Sequence, residues 1–156
     1  MTIRPLENYF YDPQFQRIFR AYFAEIGITL REDTTLWDEI KKSADEEGMV
    51  CLAAQEDGAL VGFIMLQSEP MTSRSGFFSM FLGFIRELWV APERRRSGLG
   101  RALIQQAEAL LRDQGALVLA LTPSPAAERF YAALGFAENG GVRAKNGERV
   151  LCREIR

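Results

Sequence analysis

The chain has no histidine among its 156 residues and only two cysteines, and its apolar stretches break well short of the ~18 residues a membrane crossing needs. Each absence closes a class of function. Without histidine there can be no Ser-His-Asp triad, no Cys-His nucleophile and no histidine-based zinc site, and two cysteines cannot complete a four-thiolate cage. No metal is therefore expected, and proton transfer falls to Glu, Asp, Tyr, Lys or water. Cys51 and Cys152 lie in apolar, strand-like segments, which reads as reduced core thiols and not as a disulfide or catalytic pair. Arg4, Glu7 and Asp12 deny the N-terminus the basic-then-apolar shape of a signal peptide, so no membrane association and a cytoplasmic location are expected. A net charge of −2 argues against general nucleic-acid binding.

What is present suits one domain over residues 1–156 with a sizeable core. Residues 2–7 read as an edge strand. Pro13 to Gly27 reads as an amphipathic helix with Phe15, Ile18, Phe19, Tyr22, Phe23 and Ile26 on one side and Asp12 as its cap. A second helix is expected from Thr35 to Glu46, with Leu36, Trp37 and Ile40 inward and Gly48 as its stop. Strands Val50–Glu56 and Leu60–Gln67 meet across Asp57-Gly58, a hairpin signal. Residues 68–77 look like a loop, and Phe78–Val90 like a long apolar strand.

A third helix should run from Gly98 to Gln114, with Leu99, Leu103, Ala107, Leu110 and Leu111 inward and Glu108 and Arg112 outward. Ala116–Leu121 is apolar throughout, as a strand covered on both faces should be. Ser124-Pro125 should cap a fourth helix ending before Gly135. Phe136–Glu138 and Glu148–Ile155 complete the strands, with Gly140-Gly141 and Asn146-Gly147 as turns. The order is α+β.

The stretch richest in chemistry is Val90-Ala91-Pro92-Glu93-Arg94-Arg95-Arg96-Ser97-Gly98-Leu99-Gly100-Arg101. An apolar strand there gives way to an arginine-rich, glycine-hinged turn that opens onto a helix. Gly98 and Gly100 permit close approach of a ligand to the backbone, and the first helical turn offers N–H groups without intrahelical partners. The helix dipole and Arg94, Arg95, Arg96 and Arg101 add positive charge. A pyrophosphate suits such a site, although an arginine run alone is as readily a solvated face. Gly98-Leu99-Gly100-Arg101-Ala102-Leu103 meets neither the Walker spacing nor the dinucleotide G-x-G-x-x-G.

Arg95-x-x-Gly98-x-Gly100, preceded by Val90-x-Pro92-Glu93, resembles the Q/R-x-x-G-x-G/A acetyl-CoA loop of the GNAT family of N-acetyltransferases. Ala127-Glu128-Arg129-Phe130-Tyr131-Ala132-Ala133-Leu134-Gly135-Phe136 resembles that family's second block, A-x-x-x-Y-x-x-x-G-F. The resemblance covers residues 80–137. It implies a central mixed, mostly antiparallel sheet splayed between strands 4 and 5 and flanked by four helices. It also implies acetyl-CoA as acetyl donor, an amine acceptor and direct attack in a ternary complex, with no covalent enzyme intermediate. The pyrophosphate would lie on Arg95, Arg96, Ser97, Gly98, Leu99, Gly100 and Arg101. The pantetheine arm would lie beside Leu88, Trp89 and Val90, with the Val90 N–H as oxyanion donor.

Further roles follow from the same resemblance. Glu87 occupies a position where the family often carries an acid, and would draw the proton from the attacking amine. A solvent-facing strand residue or a partner of Arg86 is the plainer alternative. Tyr131 matches the tyrosine that donates a proton to the departing thiolate, although helical spacing from Ala127 and Leu134 also fits a core residue. Ser124 replaces the asparagine often found seven residues before that tyrosine, and could still bond the pantetheine arm.

For the acceptor, the acids Glu25, Glu32, Asp33, Asp38 and Glu39 would favour a cationic amine, with Met65, Met71, Phe77, Phe78, Met80 and Phe81 as an apolar wall. Small molecules and peptides both remain open. Two rival readings are a non-catalytic acetyl-CoA sensor or interaction module of the same fold, and a binder of polyanions through Arg94–Arg96. The sequence leaves a homodimer open.

Overall fold

The computed structural model describes residues 1–72, 79–143 and 147–155, the side chains at 69–72, 79–81 and 139–143 excepted. In chain order the elements are β1 (Thr2–Pro5), α1 (Pro13–Glu25), α2 (Leu36–Glu46), β2 (Val50–Glu56), β3 (Ala59–Thr72), β4 (Ser79–Val90), α3 (Leu99–Asp113), β5 (Ala116–Leu121), α4 (Glu128–Ala133), β6 (Ala137–Arg143) and β7 (Arg149–Glu154). The strands form one seven-stranded sheet in the order β1-β2-β3-β4-β5-β7-β6. Strand β4 runs parallel to β5, whereas β1/β2, β5/β7 and β6/β7 are antiparallel. This is the α+β class expected from the order of elements, with the mixed, mostly antiparallel sheet that the resemblance implied. The chain forms two compact units, Met1–Met65 with Glu87–Ile104, and Leu66–Arg86 with Gln105–Arg156.

In the first unit Asp12 starts α1 by accepting from the Gln14 and Phe15 amides at 2.8 and 3.4 Å, with Pro13 pre-set for the first helical turn. Phe15, Ile18 and Phe19 are buried. Phe15 meets Phe63 edge-on at 5.1 Å, and Phe63 stacks on Trp89 at 6.2 Å. Full burial of such rings stabilises by ~1.5–3 kcal/mol each. Ile26, expected inward, is exposed, because the helix ends at Glu25 and Gly27 turns the chain away at φ 82°. Asp57 and Gly58 both have positive φ, 51° and 80°, the backbone a tight two-residue hairpin demands.

In the second unit Gly83 of β4 is required by packing, since a Cβ there would lie 2.6 Å from Leu111 Cδ1 of α3. Three expectations are corrected here. Glu108 faces inward: it is 7% exposed and paired with Arg153, an ion pair that offsets part of the cost of burying its charge. Strand β5 has one wet position, Leu117, 58% exposed. Gly140-Gly141 lie within β6, not in a turn. The β6/β7 register shifts between Glu138 and Arg143, and glycine commonly marks such irregularities.

Strand β3 also runs through Pro70 to Thr72 where a loop was expected, because proline's fixed φ is compatible with extended backbone. The rest of that loop through Phe77, and Phe78 at the expected start of the next strand, lie outside the described residues, as does Asn146. Ser124 does not cap α4. It precedes a 3-10 turn, Pro125–Ala127, and makes no side-chain cap bond. Both cysteines are free, Cys51 buried and Cys152 half-buried. Burial pushes the Cys51 thiol well above the ordinary range.

Candidate functional site

The arginine-rich turn closes in steps. The Ala91 amide, at the end of β4, donates to the Val61 carbonyl at 2.8 Å. A 3-10 turn follows over Pro92–Arg94, closed by Arg94 N–H to Ala91 carbonyl at 2.8 Å and Arg95 N–H to Pro92 carbonyl at 3.3 Å. Arg96 then takes φ 61° and Gly98 φ 87°. Left-handed backbone at a residue other than glycine costs ~1 kcal/mol or more, so the Arg96 conformation is imposed by the turn. The Gly98 carbonyl accepts from the Ala102 amide at 3.0 Å, which makes Gly98 the residue before the first turn of α3. Leu99 is buried and fixes the base of the loop, whereas Arg96, Ser97, Gly98 and Arg101 are exposed and Gly100 is half-buried. The amides that begin α3 have no intrahelical acceptor and face the positive end of a 15-residue helix. The space a Cβ would occupy on Gly98 is open. Free amides, open space over Gly98 and exposed cations are the features by which such a turn could hold a diphosphate.

The arginines divide into two groups. Arg94 is ion-paired with Glu56 at the end of β2, and the Ser97 hydroxyl donates to the Arg94 carbonyl. Arg95 is bound to Glu25 and to the Val90 carbonyl. Arg96 and Arg101 remain without a carboxylate partner among the described residues. Sequence reasoning counted all four as ligand-directed cations and missed these pairs, whose partners lie 38 and 70 positions away.

On β4, Leu88 and Val90 are half-buried and Trp89 is buried. Gly62 of β3 accommodates this segment, since a Cβ there would lie 3.0 Å from the Trp89 carbonyl. Glu87 is half-buried and accepts a hydrogen bond on Oε2 from the Tyr22 phenol of α1. Tyr22, a residue assigned only to packing by its helical spacing, is therefore one of its partners. The Trp89 indole N–H donates to Glu25 Oε1 at 3.1 Å.

The acids expected to draw in a cationic acceptor are largely committed elsewhere. Asp33 and Glu39 pair with Arg31 at 3.0 and 2.7 Å. Asp38 accepts from the Tyr11 phenol at 2.5 Å, a bond that raises the Tyr11 ionisation range. Glu32 alone of the five is exposed without a partner among the described residues. Met65 is core at 2% exposure, while the side chains of Met71, Met80 and Phe81 lie outside the described residues.

In the second unit Tyr131 is 7% exposed. Its ring meets Phe130 at 5.1 Å and Phe136 at 5.6 Å, both edge-on. Its carbonyl accepts from the Leu134 and Phe136 amides at 3.0 and 3.1 Å, closing the end of α4. Ser124 is exposed.

Residues 12–136 match the model of the acetyltransferase (GNAT) family. The chain is 35% identical over 97 residues to an aminoglycoside N(6′)-acetyltransferase type 1 of Stenotrophomonas maltophilia, a match spanning 61% of either chain. A crystal structure of a Trypanosoma brucei acetyltransferase superposes with a TM-score of 0.69 at 25% identity, covering 92% of this chain and 98% of that one. An aminoglycoside 6′-N-acetyltransferase complexed with coenzyme A superposes with a TM-score of 0.66 at 18% identity, covering 100% and 98%. The last likeness is one of fold.

Proposed function

This chain belongs to the GNAT acetyltransferase family, and on that premise we propose that it is an acetyl-CoA-dependent N-acetyltransferase acting on the primary amine of a small molecule or peptide. The observation that carries the proposal is the turn before α3, with positive φ at Arg96 and Gly98, open space over Gly98 and two cations, Arg96 and Arg101, that have no carboxylate partner among the described residues. Amides from Ser97 to Arg101 would hold the diphosphate, with Arg96 and Arg101 adding charge. The strand end from Leu88 to Val90 would bond the peptide-like arm as a neighbouring strand would. Ser124 is a further candidate contact for that arm.

Acetyl-CoA supplies an acetyl thioester. The chain's own residues must then deprotonate an amine, stabilise developing negative charge and return a proton to sulfur. A free alkylamine has a pKa near ~10, so at neutral pH it needs a base before it attacks. Glu87 is assigned that role, directly or through water. The Tyr22 phenol donates to its Oε2 and holds the carboxylate in place. The Val90 N–H is assigned to the developing oxyanion, a contribution typically worth ~3 kcal/mol of barrier. Tyr131 is assigned as the proton donor to the leaving thiolate, since a phenol near pKa ~10 is a close match for that sulfur. Attack is direct, in a ternary complex and without metal.

The aminoglycoside named in two of the similar proteins makes polyamino sugars the first acceptors to test. Free-thiol release should be followed with acetyl-CoA against aminoglycosides, polyamines, amino acids and peptides. Amine-dependent release identifies the acceptor class, and release with none of these would leave a cofactor-binding module in place of the enzyme.

A further inference from the structure

An arginine-rich turn before a helix suggests that every guanidinium serves the anion, but Arg95 is held by three bonds within the protein. Its terminal nitrogen lies 2.8 and 2.7 Å from the two Glu25 carboxylate oxygens, and its Nε–H donates to the Val90 carbonyl at 3.0 Å. Glu25 Oε1 also accepts from the Trp89 indole. We propose that Glu25 and Arg95 form a latch that fixes the end of β4, making Arg95 a positioning residue and not a phosphate ligand. The inference rests on the acetyl-CoA reading above and deepens it.

The backbone shows what the latch achieves. The peptide unit joining Val90 to Ala91 is planar and is gripped at both ends, its carbonyl by Arg95 and its N–H by the Val61 carbonyl at 2.8 Å. On the preceding unit the Trp89 carbonyl sits against Gly62. The Val90 N–H, assigned to the oxyanion, therefore projects from a backbone fixed on both sides. The carboxylate end is referenced to the core, because Trp89 is 6% exposed and stacks on Phe63. Tyr22 lies one helical turn before Glu25 and takes Glu87, two residues before Trp89 and on the same strand face. Helix α1 thus holds that face of β4 at two successive positions.

The charge consequence is independent of catalysis. A guanidinium neutralised by a bidentate carboxylate contributes little to the field at the loop, so anion binding rests on backbone amides, Arg96 and Arg101.

The test is calorimetric titration with coenzyme A at several salt concentrations, paired with steady-state kinetics, on wild type, Glu25→Gln, Arg95→Gln and Arg95→Lys. Arg95 and Glu25 side chains are 45% and 40% exposed, so the variants should fold, and thermal melts verify it. Arg95→Gln should bind coenzyme A within about three-fold of wild type with unchanged salt dependence, while kcat falls about ten-fold or more. Arg95→Lys keeps the charge but loses the forked geometry, and should not restore kcat. Glu25→Gln frees the guanidinium, so coenzyme A should bind more tightly at low salt and with steeper salt dependence. Loss of binding by ten-fold or more in Arg95→Gln, with flattened salt dependence, would make Arg95 a phosphate ligand and overturn the latch. Unchanged kcat in both neutral variants would remove its positioning role. If wild type itself bound no coenzyme A, the acetyl-CoA reading would fall, and the latch with it.

Discussion

Replacing Glu108 with alanine removes one partner of a buried ion pair and leaves the other in place. Glu108 and Arg153 side chains are 9% and 10% exposed, and Arg153 is held besides by the Leu134 carbonyl and the face of Phe136 at 4.8 Å. Its Nε is buried without a partner among the described residues, so the guanidinium has little hydrogen bonding to fall back on. Breaking a buried pair from one side costs ~3–5 kcal/mol. The two remaining contacts place Glu108→Ala near the lower figure, ~3 kcal/mol. Glu108→Gln keeps an acceptor but gives up the countercharge, and should lose ~2 kcal/mol. At this chain length 1 kcal/mol moves Tm by ~2–4 °C, so alanine should lower it by ~6–12 °C and glutamine by ~4–8 °C. The assay is urea denaturation beside thermal melting. The double variant Glu108→Leu, Arg153→Met removes both charges and should recover most of the loss. A Glu108→Ala protein within ~1 kcal/mol of wild type would refute the reasoning. The pair also steadies the end of the helix that carries Tyr131, because Arg153 donates to the Leu134 carbonyl just after α4.

Tyr131→Phe keeps the ring contacts and removes only the phenolic oxygen, so turnover should fall ~10²-fold or more while acetyl-CoA affinity stays within a few-fold. Wild-type turnover would take Tyr131 out of the mechanism. Gly98→Val introduces a β-branched residue at φ 87° with no atom nearby to clash. It should fold at a cost of ~1–3 kcal/mol yet lose coenzyme A binding in calorimetry, and retained binding would place the cofactor elsewhere. Cys51 is neutral in the fold and its thiol is pushed up by burial. Its contribution to stability is complete below the unfolded thiol pKa of ~8.5 and declines above it, by up to ~1.4 kcal/mol per pH unit. Urea titrations from pH 7.5 to 9.5 should show that decline and Cys51→Ala should flatten it, whereas equal slopes would assign it to other groups.

Local signals in the sequence were legible where one short segment carried the physics. Asp12-Pro13 marked the start of α1, Asp57-Gly58 the hairpin, and Gly98 the turn that opens onto α3. What could not be read was pairing across the chain. Glu108 borders the apolar face of α3, and only Arg153, 45 positions on, decides that it turns inward. The pairs Arg94–Glu56 and Arg95–Glu25 could not be read because each acid belongs to another element. Tyr22 looked like core because its helical spacing says nothing of Glu87. Gly140-Gly141 carried turn chemistry that serves equally well at a register shift within a strand.

The central claim is that the turn before α3 binds acetyl-CoA for transfer to an amine. Its most direct test is calorimetric titration of the wild-type chain with acetyl-CoA, followed on the same sample by free-thiol release on adding an amine. The account predicts saturable binding that Gly98→Val abolishes, and thiol release that depends on the amine. Absence of binding by a folded wild-type chain would contradict it and leave Arg96 and Arg101 as ordinary surface charge.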